Sequence, residues 1–286
     1  MSTEEALQEY DQCAKKVFSF RNKKWTTATE KFRATALKEV IQDLVRRRDM
    51  GDEMGDLTLE HDSKGQCFVC AMPAKEVAEP WRIRSFTSEY DQFAPGIKIW
   101  EAARATAAAS FYFKPMPLRV QNRNTEDFID AAIGCNNPVE YLHREAADRI
   151  GGGRRLGCLV SIGTGTRIVK IDRAATGLRN ILHLPKFIRE LLGTLKNTAT
   201  DGEEAHRRVL DRVDRYPNAY FRFNVPDVAD QVRLHEHLKI HTLKSTAARY
   251  LSDPSVAPQI GTVAATLAQN SSEHGLTLGH LGENVS

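Results

Sequence analysis

The sequence predicts an α/β domain with a mostly parallel central sheet. Candidate strands and helices alternate along the 286 residues, an arrangement that favours parallel strands joined by helical crossovers. Residues 156–162 contain a continuous apolar run, as expected for a strand that is covered on both faces. A helix is predicted to start at Asn137-Pro138, because asparagine is a preferred N-cap residue and proline suits the first helical position.

The first third of the chain is predicted to contain two helices and two strands. Residues 3–18 and 30–46 have helical periodicity, and the second segment carries an apolar stripe at three- and four-residue spacing. Residues 50–65 are polar and contain glycine, so we predict a loop. Residues 66–72 and 81–87 are the strands, and the arginines that alternate with apolar residues in the second predict one solvated face.

The rest of the chain continues the alternation of helices and strands. The predicted elements are an alanine-rich helix over 97–109 that ends before Pro115, a short strand at 127–130, a helix over 137–150, a helix beginning near Pro185, a strand around Phe221 and Phe223, and a helix over 232–251. The buried stripe of the 137–150 helix is predicted to be Val139, Leu142, Ala146 and Ile150. Residues 271–286 are polar and are predicted to be a disordered tail.

The composition excludes several classes of protein. Hydrophobic residues make up 41% and charged residues 27%, which is ordinary for a globular domain. The net charge of +3 does not call for a nucleic acid partner, and no apolar run approaches the roughly 20 residues that span a bilayer. The N-terminus lacks the layout of a signal peptide, and the five cysteines are scattered. We therefore expect a cytoplasmic protein with reduced thiols.

Three motifs suggest chemistry but have simpler interpretations. Residues 151–153 are three glycines, but they follow a helix and precede a strand, so a plain connection is favoured over a phosphate or oxyanion loop. Cys67 and Cys70 lie three apart in a predicted strand and have no second pair to complete a zinc site. His237 and His241 are one helical turn apart, but without a third ligand a solvated helix face is favoured over a metal site.

Three further segments carry a family resemblance. They are Ile99-Trp-Glu-Ala-Ala-Arg-Ala-Thr-Ala-Ala-Ala-Ser-Phe-Tyr-Phe-Lys-Pro115, Phe128-Ile-Asp-Ala-Ala-Ile-Gly-Cys-Asn-Asn-Pro138 and Cys158-Leu-Val-Ser-Ile-Gly-Thr-Gly165. In this order and at these spacings they resemble the second half of a patatin-like phospholipase domain. The resemblance implies a three-layer αβα fold, with residues 1–270 forming the C-terminal portion of the domain. It also implies that the half with the nucleophile precedes Met1.

The resemblance implies a lipid acyl hydrolase with a Ser–Asp dyad and no cofactor. In this family the serine hydroxyl attacks the ester carbonyl and the aspartate accepts the proton directly, while glycine N–H groups hold the oxyanion. One catalytic residue transfers by position, and it is Asp130. The expected ligands are lipid or phospholipid acyl esters, reached through peripheral contact with a membrane. The position of Asp130 at the end of a strand agrees with where α/β sheets display chemistry, although a turn-capping aspartate is the simpler reading of that position alone.

Two departures from the family pattern bear on activity. The printed sequence contains no Gly-x-Ser-x-Gly, and neither Ser110 nor Ser161 has glycines at the required offsets. The family places glycine after the aspartate, whereas Ala131 and Ala132 follow Asp130. If the turn requires a positive φ, alanine there costs on the order of 1 kcal/mol.

Three hypotheses follow from the sequence. In the first, the chain is an acyl-hydrolase fragment that is inactive alone. In the second, it is a catalytically dead relative that binds lipid or protein. In the third, it is an unrelated α/β module, which the three ordered motifs disfavour. An in-frame Gly-x-Ser-x-Gly upstream of Met1 would favour the first hypothesis over the second.

Overall fold

The computed structural model describes residues 1–24, 30–48, 56–59, 65–75, 79–122, 124–165, 198–226, 235–269 and 275–282. The chain divides into two compact units. The first contains Met1–Gly134 with Leu234–Leu238, and the second contains Cys135–Arg233 with Lys239–Ser286. Each unit has its own buried apolar core.

The first unit contains three helices and a four-stranded sheet. Its elements are α1 (Thr3–Val17), α2 (Ala34–Arg47), β1 (Phe68–Pro73), β2 (Trp81–Arg84), α3 (Ile99–Thr106), β3 (Met116–Arg119) and β4 (Thr125–Asp130). Helix α1 begins at a capping box, in which the Ser2 hydroxyl accepts from the Glu5 N–H and the Glu5 carboxylate accepts from the Ser2 N–H. Glu9 and Arg47 then join α1 to α2 through an ion pair with a 2.7 Å contact.

The sheet of the first unit is antiparallel, with strand order β2-β1-β4-β3. The connections from β1 to β2 and from β3 to β4 are too short for a helical crossover, and short connections require antiparallel pairing. Helix α3 packs on β1, β3 and β4. The core between them includes Phe128 and Ala105, both fully buried.

The second unit is mostly helical. Its elements are α4 (Val139–Ile150), β5 (Leu159–Ile162), α5 (Thr198–Val213), β6 (Tyr220–Phe223), α6 (Ile240–Leu251), α7 (Ala257–Gln269) and α8 (Leu278–Gly282). Strands β5 and β6 pair in parallel, with Leu159 opposite Tyr220 and Ile162 opposite Phe223. The core of this unit contains Leu159, Val209 and Leu276.

The structure confirms a mixed α/β chain, while its sheets differ from the prediction of a mostly parallel central sheet. Among the described residues the parallel pairing is confined to β5 and β6, and the larger sheet is antiparallel. Periodicity located the strands, but the direction of pairing depends on connections that the pattern alone does not specify. The helix expected near Pro185 lies outside the described residues.

Three predictions about burial are corrected. Arg84, expected on a solvated face, has a side chain that is only 2% exposed and contacts Asp91 over 2.8 Å. In α4, Leu142 and Ile150 are exposed and His143 is buried, because its Nε2 lies 2.7 Å from the Leu278 carbonyl oxygen in α8. Residues 275–282, within the predicted tail, include buried leucines in the core of the second unit.

Length and apolar character decide whether any of the described helices can cross a bilayer. None of them combines the length and the apolar character that a membrane-spanning helix needs.

Candidate active site

Asp130 is the last residue of β4 and is half-buried. Its backbone is fixed by its place in the sheet, opposite Ala71 of β1. Its side chain caps a single 3₁₀ turn at Ala131–Ile133, with Oδ1 accepting a hydrogen bond from the Ala132 N–H over 2.8 Å. The Asp130 carboxylate therefore caps this turn at the end of a strand, which is the simpler of the two roles that the sequence offers for it.

The turn after Asp130 does not need glycine at its first two positions. The non-glycine residues with positive φ in the described part of the chain are Phe111 and Asn218, so Ala131 lies in an ordinary backbone region. The strain considered for Ala131 is therefore not present. Gly134 ends the turn, and a β-carbon there would lie 3.1 Å from the Met72 Cε, so the end of the flexible Met72 side chain would have to shift by a few tenths of an ångström.

The segment that follows α3, residues 107–114, forms a turn beside Asp130. The Ala108 carbonyl oxygen accepts the Asp130 N–H over 3.1 Å. Phe111 has a φ of 69°, which is uncommon for a bulky side chain. The Ser110 Oγ is buried and has no hydrogen-bond partner in the part of the chain that the structure describes. We name residues 107–114 the Asp130 turn.

Arg104 of α3 contacts the far end of the Asp130 turn. The residue is 3% exposed, and its Nη2 donates to the Lys114 carbonyl oxygen at the far end of the turn. Its guanidinium carbon lies 5.5 Å from the centre of the Phe113 ring. Burial lowers the pKa of Arg104 to about 10, while the charge of Glu30 acts in the opposite direction. Arg104 stands in the motif at 99–115, where the sequence alone assigns it no role; a single arginine in an alanine-rich helix is the signal that marks it.

The second unit contains a buried polar cluster formed by Asn137, Ser161 and Arg222. The Ser161 hydroxyl donates to the Asn137 Oδ1 over 3.0 Å and accepts from the Arg222 Nη1 over 2.8 Å. The Asn137 Nδ2 donates to the Gly202 carbonyl oxygen over 3.1 Å. Glu203 lies 3.7 Å from the Arg222 Nη2. The Ser161 hydroxyl donates to an amide oxygen, which is not a general base, so none of these contacts activates it as a nucleophile.

Gly163 and Gly165 close the cluster after β5. An added β-carbon at Gly163 would lie 2.3 Å from the Asn224 Oδ1 and 2.7 Å from the Arg222 Nη2. The Gly165 N–H donates to the same Asn224 Oδ1 over 2.8 Å. The glycines therefore allow close packing of polar side chains against the main chain.

His206 and Tyr220 extend this polar region. The His206 Nδ1 lies 3.0 Å from the Tyr220 hydroxyl. Burial lowers the pKa of His206, with the Glu203 charge opposing the shift and the Arg222 charge adding to it. Burial raises the pKa of Tyr220, so the phenol stays protonated at neutral pH.

The other motifs that suggested chemistry in the sequence are the cysteines, the histidines and the run of glycines. Within the described residues no three His, Cys, Asp or Glu side chains are grouped to hold a metal ion. Cys67 is exposed and Cys70 is buried in β1. The glycines at 151–153 connect α4 to β5, and Gly151 caps α4 with a φ of 87°.

The first unit also contains a cavity of about 200 Å³ near Arg84 and Asp91. Its walls combine apolar side chains with the ion pair of these two residues. Asp130 is not among the lining residues, so the cavity is separate from the candidate site.

Comparisons with known proteins identify one family. The family model described as patatin-like phospholipase matches residues 2–143. The chain is 28% identical over 202 residues to patatin-like phospholipase 1 of Plasmodium falciparum (isolate NF54), covering 63% of this chain and 29% of that protein. It is 30% identical over 156 residues to calcium-independent phospholipase A2-gamma of Homo sapiens and of Oryctolagus cuniculus, covering 54% of this chain and 18% of each relative. The chain thus spans less than a third of the length of these relatives.

Proposed function

The chain belongs to the patatin-like phospholipase family through residues 2–143, and from this premise we propose that Asp130 is the general base of a lipid acyl hydrolase. The observation that carries the proposal is the position of Asp130. It ends a strand, and the Ala132 N–H fixes its carboxylate in one orientation. A general base must place its acceptor oxygen within hydrogen-bond reach of the proton that it takes, and a carboxylate with a fixed orientation suits this role.

The proposed reaction is a two-step ester hydrolysis. Asp130 takes the proton of a serine hydroxyl while the serine oxygen bonds to the ester carbonyl carbon, and the alcohol then leaves with that proton. In the second step Asp130 takes a proton from water, whose oxygen bonds to the acyl carbon, and the serine oxygen leaves and regains a proton. Both steps require N–H donors for the negative carbonyl oxygen.

The proposed substrates are acyl esters of lipids, including phospholipids. The names of the relatives support this substrate class for the family. We also propose that β5 and β6 belong to the mostly parallel central sheet of a three-layer αβα domain, because they are the pair whose direction agrees with that fold.

The serine nucleophile is the part of this proposal that the 286 residues do not supply. They contain no Gly-x-Ser-x-Gly, Ser161 is engaged in a buried cluster, and the Ser110 Oγ is buried. The proposal therefore expects the chain by itself to hydrolyse no ester.

Two experiments test the proposed function. The purified chain is first incubated with a fluorophosphonate, which labels activated serines, and we expect no labelling. A patatin-like segment bearing Gly-x-Ser-x-Gly is then fused ahead of Met1, and the release of fatty acid from phospholipid vesicles is measured.

The fused protein should lose at least about a hundredfold in kcat when Asp130 is changed to Asn, because Asn keeps the shape but cannot accept the proton. The matched control is Asp127→Asn, which changes an exposed aspartate on the same strand and should leave the rate unchanged. An Asp130→Asn protein with normal kcat would contradict the assignment of the base.

The absence of Gly-x-Ser-x-Gly from the printed residues favours one second candidate, a catalytically dead relative that binds lipid. A folded fusion that releases no fatty acid, together with co-sedimentation of the chain with phospholipid vesicles, would support this candidate over the hydrolase.

A further inference from the structure

We propose that Arg104 is a positioning residue for Asp130, acting through the Asp130 turn. The inference rests on the proposed function only in that it takes Asp130 as the base. Arg104 itself touches the turn and not the carboxylate. Its role would be to hold the main chain that places β4's last residue.

Arg104 links the two ends of the Asp130 turn, and we name this link the cross-brace. The backbone of Arg104 belongs to α3, which enters the turn, while its Nη2 donates to the carbonyl of Lys114, which leaves the turn. One side chain therefore joins the two ends of the segment. Removing the guanidinium would leave a buried carbonyl without this donor and would let the two ends separate.

The Asp130 turn is hydrogen-bonded directly to the main chain of Asp130. Ala108, fully buried within the turn, accepts the Asp130 N–H over 3.1 Å. Farther along the turn, the Phe111 and Tyr112 carbonyl oxygens accept the N–H groups of Lys31 and Phe32 over 3.0 and 2.9 Å. Together with the Lys114 carbonyl, four carbonyls of the turn accept hydrogen bonds from outside it, and one of the donors is the amide of the candidate base.

An apolar side chain could also fill the buried position of Arg104. A buried guanidinium loses hydration, and a well-packed apolar side chain of similar size often gives equal or greater stability. In the described part of the chain the Arg104 Nη1 has no hydrogen-bond partner, so this buried donor adds no hydrogen bond to stability. Its planar group instead spans from the Phe113 ring to the Lys114 carbonyl, which a methionine or leucine cannot do.

The test measures hydrogen exchange of main-chain amides in the 286-residue chain by NMR. Arg104→Met removes the donor, and Arg104→Lys keeps a cation that can donate to the Lys114 carbonyl. The matched control is Arg84→Met, which removes another buried arginine of the same unit, one that pairs with Asp91. The amides of β1 and β2 report the stability of the unit as a whole.

We expect Arg104→Met to raise exchange at Asp130 and Ala132 about tenfold more than at the β1 and β2 amides, with Arg104→Lys returning to within about threefold of the parent. In Arg84→Met, exchange at Asp130 and Ala132 should rise no more than exchange at the β1 and β2 amides. A uniform rise across the unit in Arg104→Met would mean a purely structural arginine and would overturn the proposal.

A further variant keeps the test decisive if Arg104→Met does not fold. Phe113→Leu removes the ring beside the guanidinium while keeping an apolar side chain, and it should raise exchange at the same two amides in the same direction. Unchanged exchange there would overturn the proposal. The two proposals fail separately, because an Asp130→Asn fusion with normal kcat would reject the base, whereas the exchange pattern would still report the positioning by Arg104.

Discussion

The Ser161 hydroxyl of β5 donates a hydrogen bond to the Oδ1 of Asn137, at the start of α4, over 3.0 Å. Both residues are buried, and each belongs to a motif that the sequence analysis singled out. The motif at 158–165 and the asparagine before Pro138 are therefore parts of one polar cluster. Arg222 of β6 completes it by donating to the same serine oxygen.

This cluster predicts the effect of Ser161→Ala. The substitution leaves the Asn137 Oδ1 without its donor and the Arg222 Nη1 without its acceptor inside a buried region, so the free energy of unfolding of the second unit should fall by about 1–3 kcal/mol. Hydrogen exchange of the β5 amides provides the measurement. The control is Ser245→Ala on the exposed face of α6, where a change within about 0.5 kcal/mol is expected. Equal effects of the two variants would contradict the role of the cluster.

Asp130 can be tested for its structural role separately from chemistry. Asp130→Ala removes the acceptor of the Ala132 N–H and should destabilise the first unit by about 1 kcal/mol, as loss of a capping residue does. Asp130→Asn keeps an acceptor oxygen and should change stability by less than about 0.5 kcal/mol. Urea unfolding followed by tryptophan fluorescence reports the first unit, since Trp81 and Trp100 lie in it. Equal losses of stability in the two variants would mean that Asp130 stabilises the unit through its charge and not through this hydrogen bond.

Ala131→Gly is expected to destabilise the turn after Asp130. Ala131 lies in a 3₁₀ turn with ordinary φ, so glycine relieves no strain and adds freedom to the unfolded chain, at a cost of about 0.5–1 kcal/mol. The same urea experiment measures the change. A more stable Ala131→Gly protein would show that the turn prefers a left-handed residue after all.

The sequence indicated where Asp130 lies in the fold, but not which residues contact it. The motif around Asp130 placed it at the end of a strand, which the structure shows. The cross-brace from Arg104 to Lys114 depends on the three-dimensional path of the Asp130 turn, and helix periodicity cannot give that path. For the same reason Leu142 was assigned to the buried face of α4, whereas a hydrogen bond from His143 to α8 determines which face is covered.

His206 predicts that the second unit loses stability in acid. Its pKa in the folded chain lies below the ordinary value of 6.5, so the unfolded chain binds the proton first as the pH falls. The contribution of His206 is therefore complete above about pH 6.5 and is lost as the pH falls through its lower folded pKa.

The measurement is hydrogen exchange of the β6 amides at several pH values, corrected for the intrinsic rate. In His206→Gln, whose amide oxygen can still accept from Tyr220, the stability should depend less on pH between about 7 and 5. An NMR titration of the imidazole gives the pKa directly. A pKa at or above 6.5 would contradict the prediction.

The last prediction concerns the space beside Gly163. An alanine β-carbon there would lie 2.3 Å from the Asn224 Oδ1 and 2.7 Å from the Arg222 Nη2, closer than atoms can pack. Both side chains would have to move, and moving Asn224 removes the acceptor of the Gly165 N–H. Gly163→Ala should therefore destabilise the second unit by about 1–3 kcal/mol. Gly157→Ala is the matched control, because no described atom lies within 4 Å of a β-carbon at that position. Exchange of the β5 amides measures the change in both variants. Equal stability of the two variants would mean that Asn224 and Arg222 move without a loss of stability. The cluster that joins Ser161 to Asn137 would then not depend on close packing at the end of β5.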